Sequence, residues 1–318
     1  MRHATLLELA DRDGIHLPEA LKSDHPLHFS AADERGWFRF QRLYDLARSV
    51  LRREDDVRRL LAEVGQDEAA DGSGWLEIQV DPSGYAARFG GLTEFTELVL
   101  DAAAEASLAS GVGIGVVIGA NRTKHPLEAR TLARLAAGHA GRGVVGFGLA
   151  NDERRGRAED FEAAFRIARA AGLPGVPHGG ELAGPASVRA CVEVLDAVRV
   201  GHGIRASEDP AVLDLLAERS VTCEVCPSSN VALGVYPDAT DVPLRTLLAA
   251  GVPVALGADD PLLFGARLTE QYRGARMVHG LDDRELAGLA AASVRASSAP
   301  ARVRDRLLAG IDTWLALP

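Results

Sequence analysis

From residue 75 onward, short apolar runs rich in β-branched residues alternate with longer stretches whose apolar positions recur at helical spacing. The short runs are WLEIQV (75–80), GIGVVI (113–118), VVGFGL (144–149), GVPHGG (175–180), VRVGHG (198–203), TCEVCP (222–227) and VPVALG (252–257). Between them lie Ala-, Leu- and Arg-rich segments such as PLEARTLARLAAGHA, AEDFEAAFRIARAAG and DPAVLDLLAERS, with glycine placed to end helices. Strand and helix alternating roughly every 25–35 residues predict βαβ units and a parallel sheet. No Pro/Gly/Ser-rich linker interrupts the pattern, so residues 1–318 read as a single domain. A TIM-type (β/α)8 barrel is the expected architecture, with an open doubly wound sheet as its rival; seven strands are in view, and the barrel needs eight. The opening stretch MRHATLLELADRDGIHLP reads as an amphipathic helix, with Leu6, Leu7, Leu9 and Ala10 at helical spacing and Gly14 and Pro18 to stop it. A helix as opening element places the missing strand before it, and the barrel's first strand is therefore expected to be absent from this chain.

Composition narrows the class. The chain is long enough, and at 47% hydrophobic content apolar enough, for a large core, but no stretch approaches the ~20 consecutive apolar residues of a membrane helix and the first residues lack a signal peptide's apolar run. A cytoplasmic protein with no membrane partner is expected. Net charge is −10, with 35 basic residues dispersed among 45 acidic ones, so nucleic acid is not an expected partner. Three cysteines make no disulfide framework. Cys223 and Cys226 form C-x-x-C within a strand pattern that points them to opposite faces, and they read as small buried hydrophobes rather than metal ligands. Association with further copies of the chain is left open.

Ionisable and polar residues accumulate at four successive strand ends, where barrel enzymes build their active sites. GVPHGGE ends in His178 and Glu181, VRVGHGI in His202, CEVCPSSN in Ser228, Ser229 and Asn230, and VALGADDP in Asp259 and Asp260. His178 and Asp259 offer a nitrogen and an oxygen ligand suited to a zinc-class ion, and Gly179 and Gly180 allow close approach of backbone and ligand. Glu181, on the turn leaving the same strand, is placed to exchange a proton beside the metal, and His202 to steer or deprotonate a bound water. The competing reading of Asp259 and Asp260 is a cap on the following helix.

These residues carry a resemblance. HGGE (178–181), GHG (201–203), CPSSNV (226–231) and GADDP (257–261) resemble, in order and spacing, the H-A-G-E, G-H-G, C-P-x-S-N and T-D-D-P segments of the adenosine deaminase family of metal-dependent amidohydrolase barrels. LLELADRDGIHLP resembles the helix after the family's first strand. The resemblance implies that His178 and Asp259 are zinc ligands, that Glu181 protonates a purine ring nitrogen, that His202 orients the attacking water, and that Asp260 holds another ring nitrogen or the water. It also implies a substrate-side role for Gly180. The implied reaction is hydrolytic deamination of a 6-aminopurine nucleoside, adenosine to inosine and ammonia. Glu181 must start protonated for this, which calls for a pKa raised by a closed apolar pocket.

Two departures bear on the reading. Family members begin with a strand ending H-x-H-L-D-G-S, and Met1 falls where that motif would just have ended; His3 and His16, on or after the next helix, do not read as replacement ligands. Asn151, in GLANDE, stands where many members carry a glycine close to the purine, so its side chain is a candidate substrate contact. It keeps open a modified adenosine such as aminodeoxyfutalosine, or a free aminopurine, as substrate. The reading from another class is a catalytically inactive barrel that binds a nucleoside or a protein.

Overall fold

The computed structural model describes residues 1–23, 25–30 and 33–317. Seven parallel strands, β1 (Trp75–Val80), β2 (Gly113–Asn121), β3 (Val144–Ala150), β4 (Gly175–Gly179), β5 (Arg199–His202), β6 (Thr222–Val225) and β7 (Val254–Leu256), pair in chain order, with β1 and β7 at the two edges. A helix crosses between each successive pair. This is the sequential order of the expected barrel; a doubly wound sheet permutes it. The sheet is curled, because Arg199 on β5 pairs with Glu77 on β1, and strands four places apart would stand about 19 Å from each other if the sheet were flat.

Every expected strand is present, with ends adjusted by local chemistry. β4 stops before Gly180, whose φ is +72°, and β5 stops at His202, whose φ is +61°. β6 ends at Val225 because Pro227 opens a helix, and β7 begins only after Pro253, which has no N–H for the ladder. On β1 the period-two alternation sends Leu76, Ile78 and Val80 into the core beneath the helices. Trp75, Glu77 and Gln79 take the opposite face, inside the curl.

Ahead of β1, the described residues form four helices: α1 (His3–Arg12), α2 (Glu19–Lys22), α3 (Glu34–Arg48) and α4 (Glu54–Ala70). α1 is the helix expected from the opening stretch, and it buries Leu6, Leu9 and Ala10. These belong to a second apolar cluster, separate from the barrel core, that also takes in Trp37 and Phe40 of α3. The same cluster includes Leu182, which follows Glu181, and Leu263 and Phe264, which lie just beyond Asp260. Phe40 stacks on Phe264 with ring centroids 5.8 Å apart. The α1–α3 cap is thus packed onto the turns that carry the candidate site. Among the described residues no helix is long and apolar enough to cross a membrane.

Candidate active site

β4 and β5 pair with His178 opposite Gly201 and Gly179 opposite His202. That register sets the two imidazoles one step apart on neighbouring strands, with ring centroids 5.1 Å apart. A Cβ at position 201 would stand 3.0 Å from His178 Nδ1, so glycine there leaves room for the ring. His202 Nε2 lies 3.5 Å from Glu181 Oε1 and 4.0 Å from Asp259 Oδ2. The helix Pro227–Ala232 holds both partners from behind: the Asn230 amide nitrogen is 3.2 Å from His202 Nδ1, and Ser229 Oγ donates to Asp259 Oδ2 at 2.5 Å. The side chain of Asp259 is therefore not a helix cap, and Asp260 makes no side-chain cap either, although it occupies the cap position of Pro261–Phe264.

Backbone strain concentrates here. Among the described residues five non-glycines have positive φ, and three of them are Asn151 (+82°), His202 (+61°) and Asp259 (+56°). Such conformations cost free energy and persist where the surroundings enforce them, often at functional sites. Gly180 is also left-handed, and a Cβ on it would meet Val188 Cγ2 at 2.4 Å. The turn that follows presents its N–H groups to the buried carboxylate of Glu153, while Arg122, itself buried, donates to the His178 carbonyl.

Burial governs the electrostatics. It pushes Glu181 up to about 7; the nearby His202 opposes that shift, and Asp259 and Glu153 add to it. Burial lowers His178 to about 3, helped by His202 and Arg122, so its imidazole is neutral and able to offer a lone pair. For His202, burial favours the neutral ring but the carboxyls of Glu181 and Asp259 outweigh it, and the net shift is upward. Burial and the adjacent Asp259 push the Asp260 carboxyl up.

The structure thus gathers Glu181 and Asp259 about His202, with the His178 ring 5.1 Å from that of His202, on or just past β4, β5 and β7, and Asp260 follows Asp259 in the chain. Asn151 is tied to the cap: its amide donates to Gln41 Oε1 on α3 at 3.1 Å and its side-chain oxygen accepts from Asp152 N at 2.8 Å. His3 lies 3.1 Å from the Leu21 carbonyl on the cap. Among the described residues, one group of His, Cys and carboxylate donors gathers its ligand atoms within 4.8 Å of one another, and its members are His202, Cys226 and Asp259. Among the described residues, none hydrogen-bonds the buried Nδ1 of His178. Cys226 is buried and free, as read from the sequence, and burial holds its thiol well above the ordinary range; its place beside His202 and Asp259 was not foreseen. Glu153 and Arg122 were also missed. The signal for both was available, since each is a charged residue at or just past the end of a predicted strand.

Comparison with known proteins finds relatives along the whole chain. The family profile described as adenosine deaminase matches residues 1–314. A Streptomyces virginiae protein provisionally named an adenosine/adenine deaminase is 62% identical over 99% of this chain and 93% of its own length. The crystal structure of an adenine deaminase from Arthrobacter aurescens superposes with a TM-score of 0.90 at 29% identity, over 99% of this chain and 95% of that one. An amidohydrolase from Burkholderia ambifaria, solved with bound zinc, superposes with a TM-score of 0.86 at 22% identity, over 99% of this chain and 87% of that one.

Proposed function

The chain belongs to the adenosine deaminase family, and from that premise we propose that it deaminates a 6-aminopurine, replacing the exocyclic amine with oxygen from water and releasing ammonia. The observation that carries the proposal is Glu181: a buried carboxyl, 3.5 Å from His202, that burial pushes up to about 7. At neutral pH a large share of it is protonated, so it can hand a proton to a ring nitrogen as the adjacent carbon is attacked. His202, steadied by Asn230, stands where a water between it and Asp259 would be oriented. Asp260, whose carboxyl is pushed up, serves as a proton-bearing partner for a second ring nitrogen. Gly180 leaves the space beside Glu181 free of a side chain.

The residues fit a zinc-class ion. His178 presents a neutral ring with a buried Nδ1 that no described residue hydrogen-bonds, and Asp259 has its carboxylate directed by Ser229, with His202 and Cys226 close by. Nitrogen and oxygen donors of this kind suit zinc. When bound, such an ion lowers the pKa of a water so that hydroxide is at hand near pH 7. The zinc-bound Burkholderia relative of the fold supports that choice of metal.

Between nucleoside and free base, the second is favoured over the nucleoside expected from the sequence. The Gln41–Asn151 hydrogen bond ties α3 to the residue after β3, and in this reading that bridge narrows the space a sugar would need. The adenine deaminase name of the Arthrobacter structure points the same way. The test is ammonia release from adenine, adenosine and a modified adenosine at equal concentration. Turnover of adenine above adenosine is expected. Turnover of none of them by zinc-containing protein would favour the inactive barrel.

A further inference from the structure

Resting on the reading of Glu181 as proton donor, we infer that Glu153 is a positioning residue, a carboxylate clamp that sets the turn on which Glu181 stands. Its Oε2 accepts from the backbone N–H groups of Gly180 and Ala183 and its Oε1 from that of Glu181, each at 3.0 Å. The side chain comes from a 3-10 turn after β3, 27 to 30 residues away in sequence, and the residue is 6% exposed. Among the described residues no Lys or Arg forms an ion pair with it, so the turn receives all the acceptor capacity on view. Hydrogen bonds to an ionised carboxylate are roughly twice as strong as neutral ones, and a buried carboxylate must find such donors.

The opposite side of the same turn is held as well. Arg205 N donates to the Gly180 carbonyl at 3.0 Å and Arg205 Nη1 to the Leu182 carbonyl at 3.1 Å. Amide and carbonyl groups of the turn are therefore fixed from two directions, around a glycine in the left-handed region. A carboxylate serving only to cap the next helix would engage that helix's first N–H groups. The helix begins at Pro185, and the N–H groups held belong to residues 180, 181 and 183. Because the Glu181 N–H is one of them, a shift of Glu153 moves the main chain of the proton donor itself. The same loop carries Asn151, bonded to Gln41 on α3, so the clamp also joins the Glu181 turn to the cap.

The test compares the full-length wild type with Glu153→Gln, Glu153→Ala, Glu181→Gln and the double variant Glu153→Gln/Glu181→Gln. Steady-state kinetics use the purine that the wild type turns over, and hydrogen exchange is followed in the peptide spanning residues 179–184. Glu153→Gln should lower kcat about ten- to hundredfold, as a displacement of about 1 Å does, with KM changed by less than about threefold. Glu153→Ala should lower kcat further, exchange at 179–184 should quicken in both while the rest of the protein is unchanged, and the double variant should be no slower than Glu181→Gln alone. Wild-type kcat or wild-type exchange in Glu153→Gln overturns the inference, as does a double variant whose losses multiply, which is what a merely structural role produces. If Glu153→Ala does not fold, Glu153→Gln decides alone. A wild-type rate in Glu181→Gln would overturn the proton-donor reading and this inference with it. An inactive Glu181→Gln beside an unaffected Glu153→Gln overturns the inference only.

Discussion

The two ends of the barrel interior each bury charge, and they treat it in opposite ways. At the N-terminal end of the strands, Arg199 lies between two carboxylates: it pairs with Glu77, its Nε is 2.8 Å from Glu224, and its Nη1 donates to the Ala296 carbonyl at 2.7 Å. Glu77 is completed by the Ser298 N–H at 2.6 Å and the Trp75 ring N–H at 3.0 Å. At the C-terminal end, Glu181, Asp259 and Asp260 gather around two histidines, and among the described residues no Lys or Arg forms an ion pair with any of them. Burial pushes carboxyls up at both ends, but at the braced end Arg199 opposes that shift on Glu224, whereas at the other end Asp259 adds to it on both Glu181 and Asp260 and burial keeps His178 neutral. One end sets a cation between its carboxylates and braces the curl from β1 to β5. The other leaves protons and lone pairs available, which suits proton transfer and a metal ion better than stability.

The comparison can be broken most severely at the braced end. Arg199→Met strands two carboxylates without their cation, and denaturant unfolding should show a loss of about 3–5 kcal/mol, while turnover per folded molecule stays at the wild-type level. A fall in turnover per folded molecule would mean that the braced end also serves the chemistry. Gly180→Ala attacks the other end through the backbone: left-handed strain plus the clash with Val188 should cost about 2–4 kcal/mol, with turnover lost along with it because Glu181 is the next residue. Normal turnover in folded Gly180→Ala would show that the turn tolerates displacement.

Two gentler tests sharpen the contrast. Glu181 has a folded pKa of about 7 against an ordinary 4.5, so its protonated form is the one the fold favours. Its contribution to stability is full below 4.5 and is lost as the pH rises through about 7. In the same window the proton donor disappears, and kcat/KM should fall roughly tenfold per unit above that pKa; a rate flat to pH 9 contradicts this. Asn151→Gly removes one hydrogen bond to α3, worth about 0.5–1.5 kcal/mol. The preference between adenine and adenosine should shift by a corresponding two- to about twelvefold, and an unchanged ratio would put the bridge outside specificity.

Much of this was legible in the residue pattern, for a physical reason. Each strand is an apolar run cut off by glycine, proline or a polar residue, and local periodicity records that, so all seven strands and the helix of the opening stretch were found. His178, Glu181, His202, Asp259 and Asp260 were legible because barrel geometry collects strand ends at one rim. Pairings across the fold left no local trace. Arg199 and Glu77 are 122 residues apart, and Glu77 reads as one polar position in an alternating strand. Glu153 and Glu181 are separated by an intervening helix and strand, and nothing in GLANDE says which main-chain N–H groups its carboxylate will meet. The left-handed φ of His202 and Asp259 is likewise imposed by tertiary contacts on residues that carry no preference strong enough to announce it.

The account turns on Glu181 as the proton donor at the unbalanced end, and the most direct test is the turnover of Glu181→Gln on the best purine substrate, with zinc content and melting temperature measured on the same sample. The account predicts a fall in kcat of about 100- to 10,000-fold, with metal content and melting temperature equal to those of the wild type. A variant that retains metal and fold and deaminates the purine at the wild-type rate would contradict it.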